Sequence, residues 1–245
     1  MAIRCPPPPR PALAGLAGHC VLALAVLSAC GGSSTSDRPI PPAGIRATIP
    51  ADFPEAEARV LRTLAFSVDD LPSGFELQYE DASREDAALM YVAHYFNAEL
   101  DEQDLLKGGP ATADVVVLIS STVSDAEQLF SSMASMSDEQ IVDYTQQQQH
   151  WSADPELAAL MEQVDVTARR IDVGAVPMPS AGWLTIETIR ERQSGDEIAF
   201  YDLAVVLRRG RVVAIADLGS TQEEPDPVDI AKLANELAAR ASVLQ

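Results

Sequence analysis

The sequence predicts an α+β fold: a single domain in which an antiparallel meandering sheet carries helices packed mainly on one face. Three observations lead there. The C-terminal third holds four β-rich runs, at residues 164–171, 183–192, 197–207 and 211–218, separated by Gly-rich or Pro-rich breaks. The last two are joined by Arg208-Arg209-Gly210-Arg211, read as a tight hairpin in which Gly210 supplies the positive φ that such turns require. Asp226-Pro227 then opens a final helix, an N-cap followed by a first-turn proline. Its Ile230, Leu233, Ala234, Leu237 and Ala241 form one apolar stripe, with Lys232, Glu236 and Arg240 toward water. A one-sided helix after a run of antiparallel strands packs on their sheet.

Taken in chain order, residues 1–29 read as an export leader. Arg4 and Arg10 precede an apolar segment over 11–27 that Gly15, Gly18 and His19 interrupt. That is too short and broken for a span of about 20 apolar residues, and it fits a removable signal peptide. Its end, Leu27-Ser28-Ala29-Cys30, resembles the lipobox of bacterial lipoproteins. The resemblance implies cleavage just before Cys30 and transfer of a diacylglyceryl group to its thiol, giving an extracytoplasmic, membrane-anchored protein whose chains hold it in the bilayer. Cys5 and Cys20 fall within the leader, so Cys30 is the one cysteine of the mature chain and no intramolecular disulfide is expected. The competing readings are an ordinary export signal cut elsewhere, or a small buried cysteine. Residues 30–54 mix Gly, Ser and Pro without apolar periodicity and read as a tether spanning roughly 25–30 Å. Residues 55–245 are then the exported domain.

Within that domain, Val60, Leu61, Leu64 and Ala65 give a short amphipathic helix over 55–66. It ends before Asp69-Asp70-Leu71-Pro72-Ser73-Gly74, because Pro72 disfavours helix at Leu71. Residues 75–79 alternate as a half-buried strand. Residues 84–99 fit two periods: Ala88, Tyr91, Val92, Tyr95 and Phe96 match a helix, whereas Met90, Val92, His94 and Phe96 share one side of a strand. A helix passing into a strand is the reading taken. The run 115–123, with Val115-Val116-Val117, predicts a strand buried on both faces. Ser124 and Glu127 match a capping box ahead of a helix carrying Ala126, Leu129, Phe130, Met133 and Met136. Ser137 and Gln140 repeat the signature before a second helix running into Gln146–Gln149. Asp154-Pro155 predicts a further helix through Met161.

The full chain carries a net charge of −20, and loss of Arg4 and Arg10 with the leader takes it to −22. Such a charge repels nucleic acid and anionic headgroups, so no nucleic-acid function is expected. No cofactor fingerprint is present, since Gly108-Gly109 precedes Pro110 as a turn and no phosphate loop follows. His94 and His150 show no H-x-x-x-H spacing and read as structural or surface residues. Two acidic groups, Glu99, Asp101, Glu102 and Asp104, and Glu223, Glu224, Asp226 and Asp229, lack the spacing of a calcium loop and read as solvated loops and caps. Ser73 and Ser180 sit in turns, with no G-x-S-x-G elbow. Catalysis is therefore not expected.

Three stretches then carry a wider resemblance: D-L-P-S-G-F at 70–75, G-D-E at 195–197, and V-V-L-R-R-G-R-V-V at 205–213 before the terminal helix. Together they resemble bacterial lipoproteins whose exported domain is similar in outline to PsbP-like and LpqN-like α+β domains. The resemblance spans most of 60–245 and implies a membrane-tethered, non-catalytic binding or accessory domain; it carries over no catalytic residue. Tyr91, Tyr95, Phe130, Trp183 and Phe200 are the candidate lining of an apolar ligand cavity between sheet and helices, weighed against ordinary core. The expected partners are the bilayer through acylated Cys30 and either an apolar small molecule or an envelope protein. A structural accessory subunit is the alternative, and a tethered hydrolase a third reading.

Overall fold

The computed structural model describes residues 55–85, 88–100, 108–147 and 161–242. The expected leader and tether, Cys30 and His150 lie outside these, as does the helix expected after Asp154 except Met161, which starts a strand instead. Seven strands form one antiparallel sheet: β1 (Phe75–Glu85), β2 (Ala88–Asn97), β3 (Gly109–Ser120), β4 (Met161–Ile171), β5 (Ser180–Glu191), β6 (Glu197–Arg209) and β7 (Val212–Thr221). Their spatial order is β1-β2-β3-β7-β6-β5-β4. Two meanders, β1 to β3 and β4 to β7, thus meet where β3 pairs β7, with Val116 opposite Ile215.

That junction explains the continuous apolar runs. Val115 to Leu118 are buried in succession and every residue of β7 is buried, because both faces of the central strands are covered. On one face, Val115, Val117, Val205 and Ala216 pack with Leu61 and Leu64 of α1 (Glu55–Leu64). Ile230, Leu233 and Leu237 of α4 (Pro227–Ala241) complete that layer. On the other face, Val116, Leu118, Val206, Ile215 and Trp183 meet Ala126, Leu129 and Met133 of α2 (Val123–Ala134) and Ile141 of α3 (Asp138–Gln147). The described helices therefore divide two and two between the faces rather than gathering mainly on one. The α+β class and antiparallel meander stand; the expected one-sided cover counted the strong terminal helix and left the second apolar face of β3 and β7 without a lid.

Three local readings are also revised. Residues 88–97 are strand throughout, paired on both sides by β1 and β3, so the helical alternative loses to the ladder partners that β3 supplies. The first strand runs past Tyr79 to Glu85, because a bulge between Leu77 and Tyr79 shifts the alternation without ending the strand. The first helix cap lies two residues earlier than expected. Thr122 Oγ1 accepts from the Asp125 amide at 3.1 Å while Asp125 Oδ2 accepts from the Thr122 amide at 3.2 Å. The Ser137–Gln140 box forms as expected, with reciprocal bonds of 3.2 and 2.9 Å. Thr122→Ala should accordingly cost about 1 kcal/mol in urea denaturation, whereas Ser124→Ala, on an exposed side chain, should stay within roughly 0.5 kcal/mol. An equal loss in both would return the cap to Ser124.

Gly210 turns the last hairpin at φ +56°, and Asp226 caps α4 by accepting from the Val228 amide at 2.8 Å. All five stripe residues of α4 are buried. Arg240 departs from the expected water-facing set: it turns inward to Asp70. Among the described residues no helix is long and apolar enough to cross a membrane.

Candidate functional site

Strand alternation that buries Val116 and Leu118 under α2 and α3 also sets the face on which neighbouring polar residues stand. Along β3 that face continues to Asp114 and Thr112, and along β7 from Ile215 to Asp217 and Gly219. Along β6 it runs from Ala204 to Asp202 and Phe200, along β5 from Trp183 to Thr185 and Glu187, and along β2 from Val92 to His94. One half of this sheet face is apolar and covered by the two helices. The other half is acidic.

Register brings the acids together. His94 lies opposite Asp114, Asp114 opposite Asp217, Asp202 opposite Gly219, and Glu187 opposite Phe200. The result is an oblique row, His94, Asp114, Asp217, Asp202 and Glu187, crossing five adjacent strands. Asp114 and Asp217 are 3% and 2% exposed, so two carboxyls directly opposite one another are withdrawn from water. Asp202 and Glu187 are half-buried and form the accessible end.

The electrostatics follow from that burial. Asp217 is pushed well above the usual carboxylate range, first by desolvation, then by repulsion from Asp202 and Asp114. Asp202 is pushed up to about 8, again by desolvation first, then by Glu187 and Asp114. His94 is the row's one basic group. Desolvation opposes its charge, but Asp114, 2.8 Å away at Oδ1, outweighs this and raises its pKa. Glu187 accepts from Gln163 Nε2 at 2.6 Å. Asp217 Oδ2 is buried with no hydrogen-bond partner.

Gly219 occupies the middle of this surface. A Cβ there would overlap Thr112 Oγ1 and stand 3.3 Å from Asp202 Oδ1. The Thr112 hydroxyl fills the space that a Gly219 side chain would take and so lies beside Asp202, where β3, β7 and β6 adjoin. Among the described residues, no three His, Cys or carboxylate groups converge to hold a metal ion.

The five aromatic candidates do not line one cavity. Tyr91 and Tyr95 belong to the α1/α4 face, where Tyr91 donates to Glu80 at 3.0 Å and Tyr95 donates to the Phe66 carbonyl at 2.9 Å. Trp183 is fully buried on the opposite face, with the Arg170 guanidinium 5.1 Å from its ring centroid and Phe130 packed at that layer's margin. The sheet stands between the two sets. Phe200 alone adjoins the acid row, half-buried next to Asp202 on its own face. The second acidic loop is spent on structure: Glu224 pairs with Arg169 at 2.5 Å, Asp226 caps α4 and Asp229 pairs with Lys232 at 2.8 Å. In the first, Asp101, Glu102 and Asp104 lie outside the described residues.

The acid row has a sequence signal that composition hides. T-A-D-V-V-V (112–117), F-Y-D-L-A-V (200–205) and A-I-A-D-L-G (214–219) each set a lone aspartate inside an apolar strand. A single such residue reads as a strand end or edge; three in central strands mark one surface once their register is known.

No known protein family and no curated protein matches the sequence. Among solved structures, the chain is similar to the extracellular domain of PknH from Mycobacterium tuberculosis, at 9% identity and a TM-score of 0.44, covering 76% of this chain and 96% of that one. It is also similar to LpqN, involved in cell envelope biogenesis of Mycobacterium tuberculosis, at 10% identity and a TM-score of 0.24, covering 69% of this chain and 78% of that one.

Proposed function

We propose that the chain is a non-catalytic extracytoplasmic binding module, anchored by acylated Cys30 through the tether and taking its ligand at the acidic half of the α2/α3 face. The observation that carries the binding reading is the buried, unpartnered Asp217 Oδ2 in a row of like charges. Leaving a buried acceptor unsatisfied costs about 1–3 kcal/mol. A fold that keeps four carboxyls together with one histidine must either hold protons on the buried ones or take an occupant that compensates their charge.

Two other readings are less well supported. An accessory subunit docking through an apolar face would present a contiguous patch, whereas the exposed large apolar residues among those described, Val60, Val68, Val123, Val164 and Val228, are scattered over five elements. A tethered hydrolase gains from the displaced acidities of Asp202 and Asp217. Acid and base partners, however, need environments that push their pKa values apart, and these two are pushed the same way. Among the described residues, no hydroxyl is hydrogen-bonded to His94.

Native mass spectrometry of the full chain from its own host, before and after extraction, tests the binding reading. An extractable bound mass is expected, and a clean apo mass that no added ligand changes would defeat it. The anchor has its own test. Cys30→Ser should abolish incorporation of labelled fatty acid, and labelling that persists in this variant would refute attachment at Cys30.

A further inference from the structure

We infer that the ligand is a small alkylammonium, whose head group sits over Gly219 between Thr112, Asp202 and Asp217. The inference rests on the binding reading and names its ligand class. Sign decides first. The charges that raise Asp202 and Asp217 are all acidic, Glu187 and Asp114 acting on the first, Asp202 and Asp114 on the second, while His94 is engaged by Asp114. An anion or a neutral apolar molecule would leave that repulsion in place; a cation removes it. The strongly negative chain also raises the local concentration of cations.

Shape decides second. Thr112 Oγ1 and Asp202 Oδ1 meet at Gly219, and Asp217, two residues along β7 on the same face, adds its unpartnered Oδ2, so three neighbouring strands offer oxygen acceptors on one face. An ammonium carries three donors on one compact centre, whereas a guanidinium presents a flat fork suited to a single carboxylate. A metal ion would need several ligands converged on one point, which the described residues do not provide. The half-buried Phe200, next on this face of β6 to Asp202 and opposite Glu187, gives the approach an apolar, cation-tolerant wall for an alkyl stem.

The probe is 1,4-diaminobutane, titrated calorimetrically into the full chain at pH 7, with 1,4-butanediol as its neutral counterpart and calcium chloride as the metal control. One-to-one binding of the diamine and none of the diol is expected. Occupancy ionises Asp202 against Glu187, Asp114 and Asp217, so the binding heat should vary with the ionisation enthalpy of the buffer. Asp202→Asn and Asp217→Asn should each weaken binding at least tenfold while holding or raising the melting temperature at pH 8.5, since each removes a buried repulsive charge. Thr112→Val should weaken it severalfold. Unchanged diamine binding in both aspartate variants would place the amine elsewhere and overturn the inference. Calcium binding with no diamine binding, or an extractable mass that contains no amine, would overturn the ammonium class while leaving the binding reading standing. No diamine binding together with a clean apo mass would end both.

Discussion

Raising the pH from 5.5 to 8.5 is expected to lower the melting temperature of the ligand-free chain by at least about 10 °C. The unfolded chain ionises its aspartates near pH 4, whereas folded Asp202 holds its proton to about 8 and Asp217 is also shifted well upward. Between those limits the folded state binds more protons than the unfolded one. Stability therefore falls as pH rises, by about 1.4 kcal/mol per pH unit for each such carboxyl, and the loss from Asp202 levels off above pH 8. His94 adds to the same slope. Its folded pKa is raised, so its contribution is complete below the unfolded value of 6.5 and is lost as pH climbs through the folded one. Asp70 works at the other end: hydrogen bonds from Ser67 and Arg240 outweigh partial desolvation and hold it low, so its contribution is lost only as pH falls below the unfolded value toward the folded one. A stability maximum at about pH 4 follows. Circular dichroism melts between about pH 4 and 8.5 check it, and a flat or rising profile would sink the account of the acid row. Asp202→Asn should remove about half of the slope, and saturating diamine should flatten it, because the amine supplies the compensation that protons otherwise give.

How much of this was legible in the sequence depends on whether a feature needs register. The four C-terminal strands, the Gly210 hairpin and the stripe of α4 are set by local period and turn chemistry, and they lie where the sequence puts them within a few residues. Residues 88–97 were not decidable locally, because Tyr91, Val92 and Tyr95 satisfy the helical and extended periods alike; the edge that β3 offers decides them. The division of helices between faces needs the knowledge that β3 and β7 are central, which follows only from their pairing across about 100 residues of chain. The acid row needs the same knowledge twice over. Asp114, Asp202 and Asp217 come from three segments, and a slip of one residue in any strand would send that carboxyl to the α1/α4 side. The aromatic cavity failed for the mirror reason: Tyr95 and Trp183 have the right chemistry but opposite sides of the sheet.

Arg240→Ala should cost about 3 kcal/mol of stability. Arg240 Nη2 reaches both oxygens of Asp70, at 2.7 and 2.6 Å, and Nη1 donates to the Ala65 carbonyl. One side chain of α4 thereby ties down both the end of α1 and the short 3-10 turn Val68–Asp70. Asp70 is already fixed by the Ser67 amide and hydroxyl, at 2.6 and 3.0 Å, so the acceptor is positioned before the arginine arrives. The pair is 26% and 16% exposed, enough cover for the Coulombic gain to survive screening and for an orphaned partner to be penalised. The sequence placed Arg240 in water because its helical position lies off the apolar stripe, and it could not register a partner 170 residues away. Urea denaturation of Arg240→Ala, Asp70→Ala and the double variant measures the pair directly. A coupling energy of about 1–3 kcal/mol is expected, with Arg240→Lys recovering less than half because a single ammonium cannot span both Asp70 and the Ala65 carbonyl. Strict additivity of the two single losses would mean that α4 is held to the N-terminal layer by its buried leucines alone.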